Sequence, residues 1–151
     1  MNVRIEVRGA REIARALGPA HLDGALRSGF TKAAIIVEGA ARANVHTVTR
    51  KLQGSLGHQV SGQGFGLEAR IGPQPGLGQP RGYSVSDTSR WQKPRAGRNK
   101  GDPQVYAGFE EEGTRYRPPH PFLEPALEQN LGRVEDAIED AIDDALRGMG
   151  L

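Results

Sequence analysis

Residues 105–127 read VYAGFEEEGTRYRPPHPFLEPAL, and the fold turns on what this segment does. It places three consecutive glutamates, a Gly-Thr pair, four prolines and four aromatics directly ahead of a regular amphipathic run. Three consecutive carboxylates cannot converge on one point. Neighbouring side chains diverge by about 100° around a helix and point to opposite faces of a strand. The segment therefore reads as a structural clasp rather than a catalytic centre. Tyr106 and Phe109, three apart, are expected to form one face that buries against a sheet. Gly113 and Thr114 turn the chain. Pro118, Pro119 and Pro121 stiffen the approach, and Phe122 and Leu123 anchor the start of the last helix in the core. Glu111 is suited to accept backbone N–H groups or to pair with an arginine.

Downstream, residues 121–147 read as one helix. Pro121 is placed at its first position and Pro125 within its first turn, where a missing N–H does little harm. Leu127, Leu131, Val134, Ile138, Ala141 and Ala145 recur at alternating spacings of four and three, and Ile142 and Leu146 widen the stripe. Gly148 is expected to cap the end. The opposite face is acidic: residues 126–147 hold seven Asp/Glu and two Arg. Asp136, Asp140, Asp143 and Asp144 are expected to be exposed on it and to attract Arg or Lys of a neighbouring subunit.

Upstream, residues 2–8 (NVRIEVR) alternate as a half-buried strand, and 10–17 form a short helix ended by Gly18-Pro19. Asp23 is placed as the N-cap of a long central helix over 24–44. Leu26, Phe30, Ala33, Ala34, Val37 and Ala41 line its inner face, with Arg27, Lys32, Glu38 and Arg42 outside. Gly29, Gly39 and the alanines allow close packing. Strands at 55–62 and 66–72 join through the Gly-Gln-Gly turn at 62–64 as a β-hairpin. Residues 73–103 are basic, rich in Gly and Pro, and without periodicity. A loop this long inside a compact domain is usually functional or disordered.

The expected fold is a single α+β domain over 1–151. A small antiparallel sheet, made of the N-terminal strand plus the hairpin, is packed by a long central helix and a long C-terminal helix, with an extended basic loop at 74–103. At 151 residues the chain is long enough for one real core, and it has no cysteine for a disulfide or thiolate metal site. Its N-terminus carries charges throughout without an apolar signal region, and AAIIV (33–37) is its longest apolar run, so a soluble, cytosolic origin is expected. Histidines at 21, 46, 58 and 120 have no ligand spacing, and no Ser-His-Asp pattern or phosphate loop accompanies the glutamates. Neither enzymatic activity nor a cofactor or metal is expected.

The net charge is only +2, but its distribution is uneven: residues 1–60 hold nine Lys/Arg against four Asp/Glu, and 81–102 hold six against two. Such a dipolar chain suits head-to-tail contacts between copies of itself. Arg90, Lys93, Arg95, Arg98 and Lys100, with Trp91 beside them, are the basic contact candidates. They also support another class of function, nucleic-acid binding by a loop that holds phosphates and stacks a base. The long acidic helix and the lack of a named DNA-binding module speak against a dedicated DNA-binding protein.

Tyr106-Ala107, then Glu111-x-Gly113-Thr114, then Pro118-x-x-Pro121-Phe122-Leu123-x-Pro125-Ala126-Leu127, followed by an amphipathic helix, resembles a family of tailed-phage proteins. These are the small tail-component or neck proteins of long-tailed, lambdoid-type bacteriophages, also described as minor tail or tail-completion proteins. Thr49, Arg50, Leu52 and Ser55 hold part of a second family pattern, Asp-Thr-Gly-Arg-Leu-x-x-Ser. The chain departs from the family in placing Glu110 and Glu112 beside the motif glutamate and in its long loop. The resemblance implies a structural virion protein at the neck or tail, assembled in the host cytoplasm as a sixfold ring between head connector and tail tube. Its partners would be other copies of itself and the neighbouring neck, connector and tube proteins, with phage DNA passing through the lumen and no membrane contact. Tail completion, head–tail joining and capping of the tube by a tail terminator are all roles this resemblance leaves open.

Overall fold

Gly18 stands at φ +72°, a conformation glycine adopts without steric cost, and Pro19 immediately opens the longest helix among the described residues. The computed structural model describes residues 12, 15, 18–45, 50–74 and 103–150, with the side chains of residues 19, 50, 51 and 104–106 left out. Among these, the elements are α1 (Pro19–Asn44), α2 (Arg50–Ser55), β1 (Leu56–Ser61), β2 (Glu68–Pro73), α3 (Pro103–Glu112), α4 (Leu123–Glu128) and α5 (Leu131–Gly148). The fold is α+β: a two-stranded antiparallel sheet packed against long helices. The strand expected at 2–8 lies outside the described residues, as does the loop at 74–103 apart from Gln74 and Pro103. Of the short helix expected at 10–17, Glu12 and Arg15 are described, and both are helical.

The described residues form two compact units. One takes 12, 15, 18–36, 59–70 and 130–150; the other takes 37–45, 50–58, 71–74 and 103–129.

In the first unit, Leu22, Ala25, Leu26, Ala33 and Ala34 of α1 are buried together with Leu67 and with Val134, Ala137, Ile138, Ala141 and Ile142 of α5. Gly29 is where the two helices touch. A β-carbon there would lie 2.9 Å from the Ile138 Cα and 3.3 Å from both the Ala137 carbonyl oxygen and the Ala141 Cβ. The helix accepts the propensity cost of this glycine, about 1 kcal/mol, in exchange for backbone-to-backbone approach. Gly39, which the sequence suggested for the same purpose, has no atom within 4 Å of such a β-carbon and faces solvent.

Asp23 is not the N-cap of α1. The helix starts four residues earlier, and the Asp23 carboxylate instead accepts the Gly64 N–H at 2.6 Å at the hairpin turn. Arg27, one helical turn on, donates to the Gly62 carbonyl at 2.7 Å and lies 3.7 Å from Asp23. Gly62 and Gly64 both have positive φ, as the tight connection requires, and leave Phe65 exposed at its tip.

In the second unit, Val37, Ala41, Val45, Leu52, Leu56, Ala107, Phe122 and Ala126 make the core, and α2 packs on α3. Ser55 is fully buried and satisfied. Its hydroxyl donates to the Leu52 carbonyl at 2.8 Å, and its own carbonyl accepts the Gln74 N–H at 2.8 Å. Glu38 was expected on the outer face of α1, yet its side chain is only 14% exposed. The reason is a polar cluster on this side of the helix. Arg42 pairs with Glu38 at 2.6 Å and donates to the Leu56 carbonyl at 2.7 Å, while the His58 Nδ1 meets the second Glu38 oxygen.

The single helix expected over 121–147 is two helices. Phe122 is the N-cap of α4, with Pro121 outside it, and the chain turns at Gln129 and Asn130 before α5 begins. Asn130 leaves the helical region (φ −119°, ψ 11°), and Gly132 beyond it does little to hold a continuous helix. Leu131 therefore opens a new helix and is exposed rather than lying in the seam. At the far end the left-handed residue is Gly150, not Gly148: Met149 is the C-cap, and the Gly150 N–H returns to the Arg147 carbonyl at 3.0 Å.

Candidate functional site

Helix α3 begins with Pro103 at its first position and ends in Glu110, Glu111 and Glu112. Acidic residues in the last turn oppose the helix's own dipole, whose C-terminus is partially negative. Glu111 resolves the conflict by serving the next helix. Its Oε2 accepts the N–H of Phe122 at 2.9 Å and of Leu123 at 3.0 Å, and its Oε1 accepts the N–H of Glu124 at 2.9 Å. A helix start leaves four N–H positions without an internal partner. At α4 these are Phe122, Leu123, Glu124 and Pro125. Glu111 satisfies the first three, and Pro125 has no N–H to satisfy. One carboxylate and one proline thus complete the helix start.

The intervening chain is held as closely. Gly113 has φ +76°, and a β-carbon on it would stand 2.8 Å from the Pro119 nitrogen and 3.0 Å from the Arg117 carbonyl oxygen. Thr114 and Arg117 bond each other's backbone in both directions, at 2.9 and 3.2 Å, and the Thr114 hydroxyl accepts the N–H groups of Tyr116 and Arg117. The His120 N–H closes the loop on the Glu110 carbonyl at 2.7 Å. Beneath it Phe122 is 1% exposed, and Asn44 of α1 reaches its carbonyl at 3.4 Å.

The residues singled out by sequence are therefore placed as follows. Glu111, Gly113, Thr114, Phe122 and Leu123 come together in the clasp, with Phe122 buried and Leu123 half-buried; Pro121 leads into it, exposed. Phe109 does not bury: it is 54% exposed. The inner face of α3 is set by Pro103 and Ala107, one turn apart, and Phe109 falls two positions from Ala107, on the other side. The side chain of Tyr106 lies outside the described residues, as do Arg90, Trp91, Lys93, Arg95, Arg98 and Lys100. Helix α3 itself was missed by sequence reasoning. Gly108 and the closing glutamates masked it, although a proline opening an apolar stretch was an available signal.

The acidic face of α5 lies opposite its core stripe. Asp136, Asp140, Asp143 and Asp144 are all exposed, with Glu135 and Glu139 beside them. On this face Arg147 pairs with Asp143 at 4.0 Å. On the hairpin, Arg70 pairs with Glu68 at 3.1 Å, and this carboxylate raises the guanidinium pKa above its ordinary value.

Among the described residues no group of His, Asp and Glu could hold a metal ion, and no helix is long and apolar enough to cross a membrane. Comparison of the chain with protein-family models, curated proteins and solved structures gives no match.

Proposed function

We propose that the chain is a structural protein of a long-tailed phage particle, acting at the neck or tail as a self-assembling ring between head connector and tail tube. In this reading it completes the tail or joins it to the head, and it is not an enzyme. It is made in the host cytoplasm and ends in the virion, with copies of itself and the neighbouring neck and tube proteins as partners. The observation that carries the reading is the use made of Glu111. The glutamate most suggestive of chemistry is consumed by three backbone N–H groups at a helix start. The residues around it that carry the family resemblance, Gly113, Thr114, Phe122, Pro125 and Ala126, each have a structural task in the same joint. The exposed acids of α5 supply one face of a heterologous contact, the kind from which closed rings are built.

Electron microscopy of lysates from a phage lacking this gene tests the proposal. Full heads beside separate tails of normal length are expected for completion or joining. Tails of uncontrolled length would assign the chain as a tail terminator. Normal infectious particles would overturn the reading and favour nucleic-acid binding through the basic segment at 81–100.

A further inference from the structure

Tyr116 is the most exposed large hydrophobic residue among those described, at 86%. An aromatic left in water is unremarkable on a mobile loop, but this one stands on a turn closed by backbone bonds in both directions and by the Thr114 hydroxyl. Gly113 is wedged against Pro119 at its base. The turn is flanked by two exposed arginines. Arg115 lies over the Tyr116 ring at 5.8 Å, and neither Arg115 nor Arg117 meets a carboxylate among the described residues. Tyrosine and arginine are the residue types that dominate interface energetics, and presenting them pre-ordered lowers the entropic cost of docking.

We propose that the Arg115-Tyr116-Arg117 turn is a docking tip that seats on the acidic face of α5 in a second copy of this chain. The complement is on the same polypeptide, so the two surfaces occur in equal number. Glu135, Asp136, Glu139, Asp140 and Asp144 are exposed without a cationic partner among the described residues. From Glu135 to Asp144 the face is about 14 Å long, a finite patch that a single turn can cover. Carboxylates one helical turn apart on it suit two guanidiniums flanking a ring, each guanidinium engaging a carboxylate through two N–H groups. A nucleic-acid backbone is a poorer fit. Residues 105–127 carry four glutamates against these two arginines, a balance that repels continuous phosphates. The contact is heterologous, turn to helix, and rests on the self-assembly in the function proposed above.

The test is sedimentation of the full chain at low salt, comparing wild type with Arg115→Glu/Arg117→Glu, Tyr116→Ala and Asp136→Lys/Asp140→Lys. The altered residues are exposed, so unchanged circular dichroism is expected. Each variant alone should associate about tenfold more weakly or worse. Mixing the two charge-reversed variants should restore association, because each then offers the surface the other needs. Wild-type association by Arg115→Glu/Arg117→Glu would overturn this contact while leaving self-assembly intact. A wild-type chain that stays monomeric at every concentration would overturn both. Loss of DNA binding in the turn variants, with association unchanged, would reassign the turn to nucleic acid.

Discussion

The carboxylate of Glu111 accepts the backbone N–H of Leu123 at 3.0 Å, joining the last turn of one helix to the first turn of the next. The same charge is unfavourable at the C-terminus of α3 and favourable at the N-terminus of α4. The net preference therefore holds the two helix ends together, and the loop between them is folded to the length this bond allows.

Replacing Glu111 with alanine leaves three N–H groups without their acceptor. A loss of about 2 kcal/mol is expected, toward the upper end for a capping residue because three donors are involved. Glu111→Gln should lose less, since the amide keeps one acceptor oxygen but turns an NH2 toward the remaining donors. Denaturant unfolding of both variants checks the order; equal stability of Glu111→Ala and wild type would contradict the capping role.

Gly113→Ala meets two obstacles at once. The φ of +76° is costly for any residue with a β-carbon, and the atoms it would strike are backbone and proline ring, which cannot swing aside. A destabilisation of about 2 kcal/mol or more is expected, visible as a lower melting temperature.

Gly29 and Gly39 sit in the same helix but predict opposite outcomes. Gly29→Ala drives a methyl group to 2.9 Å from the Ile138 Cα, so α1 and α5 must separate, and a net loss of about 1–2 kcal/mol is expected despite the better helix propensity. Gly39→Ala meets nothing and should stabilise by up to about 1 kcal/mol. Thermal unfolding of the pair separates close packing from mere tolerance of glycine.

The hairpin turn depends on α1 through Asp23. In Asp23→Ala the Gly64 N–H loses its 2.6 Å acceptor and Arg27 loses its neighbour. Amide hydrogen exchange at Gly64 should quicken by about tenfold, consistent with roughly 1.4 kcal/mol of lost protection. An unchanged rate would mean the turn holds itself.

Much of the architecture was legible because its signals are local. The central helix, the hairpin with its glycine turn and the amphipathic stripe of α5 follow from periodicity over neighbouring residues. So does the exposure of Asp136, Asp140, Asp143 and Asp144, which fall opposite the apolar stripe. Glu111 was legible as a structural carboxylate, suited either to backbone N–H groups or to an arginine, and it takes the N–H groups. Phe109 was misjudged because spacing says which residues share a face of a helix but not which face turns inward, and that depends on what packs against α3. Glu38 was misjudged for the same reason, since its partner His58 is twenty residues away and arrives only through the hairpin.

By itself, then, the sequence determined the α+β class, the amphipathic helices, the turn glycines and the clasp segment, because backbone conformational preference and apolar spacing act over a few residues. Only the tertiary structure decided which acceptor completes the start of α4, which glycine lets two helices touch, and where the last helix divides. Those outcomes depend on groups distant in the chain meeting within about 3 Å, and on buried N–H groups that must find an acceptor wherever the fold supplies one.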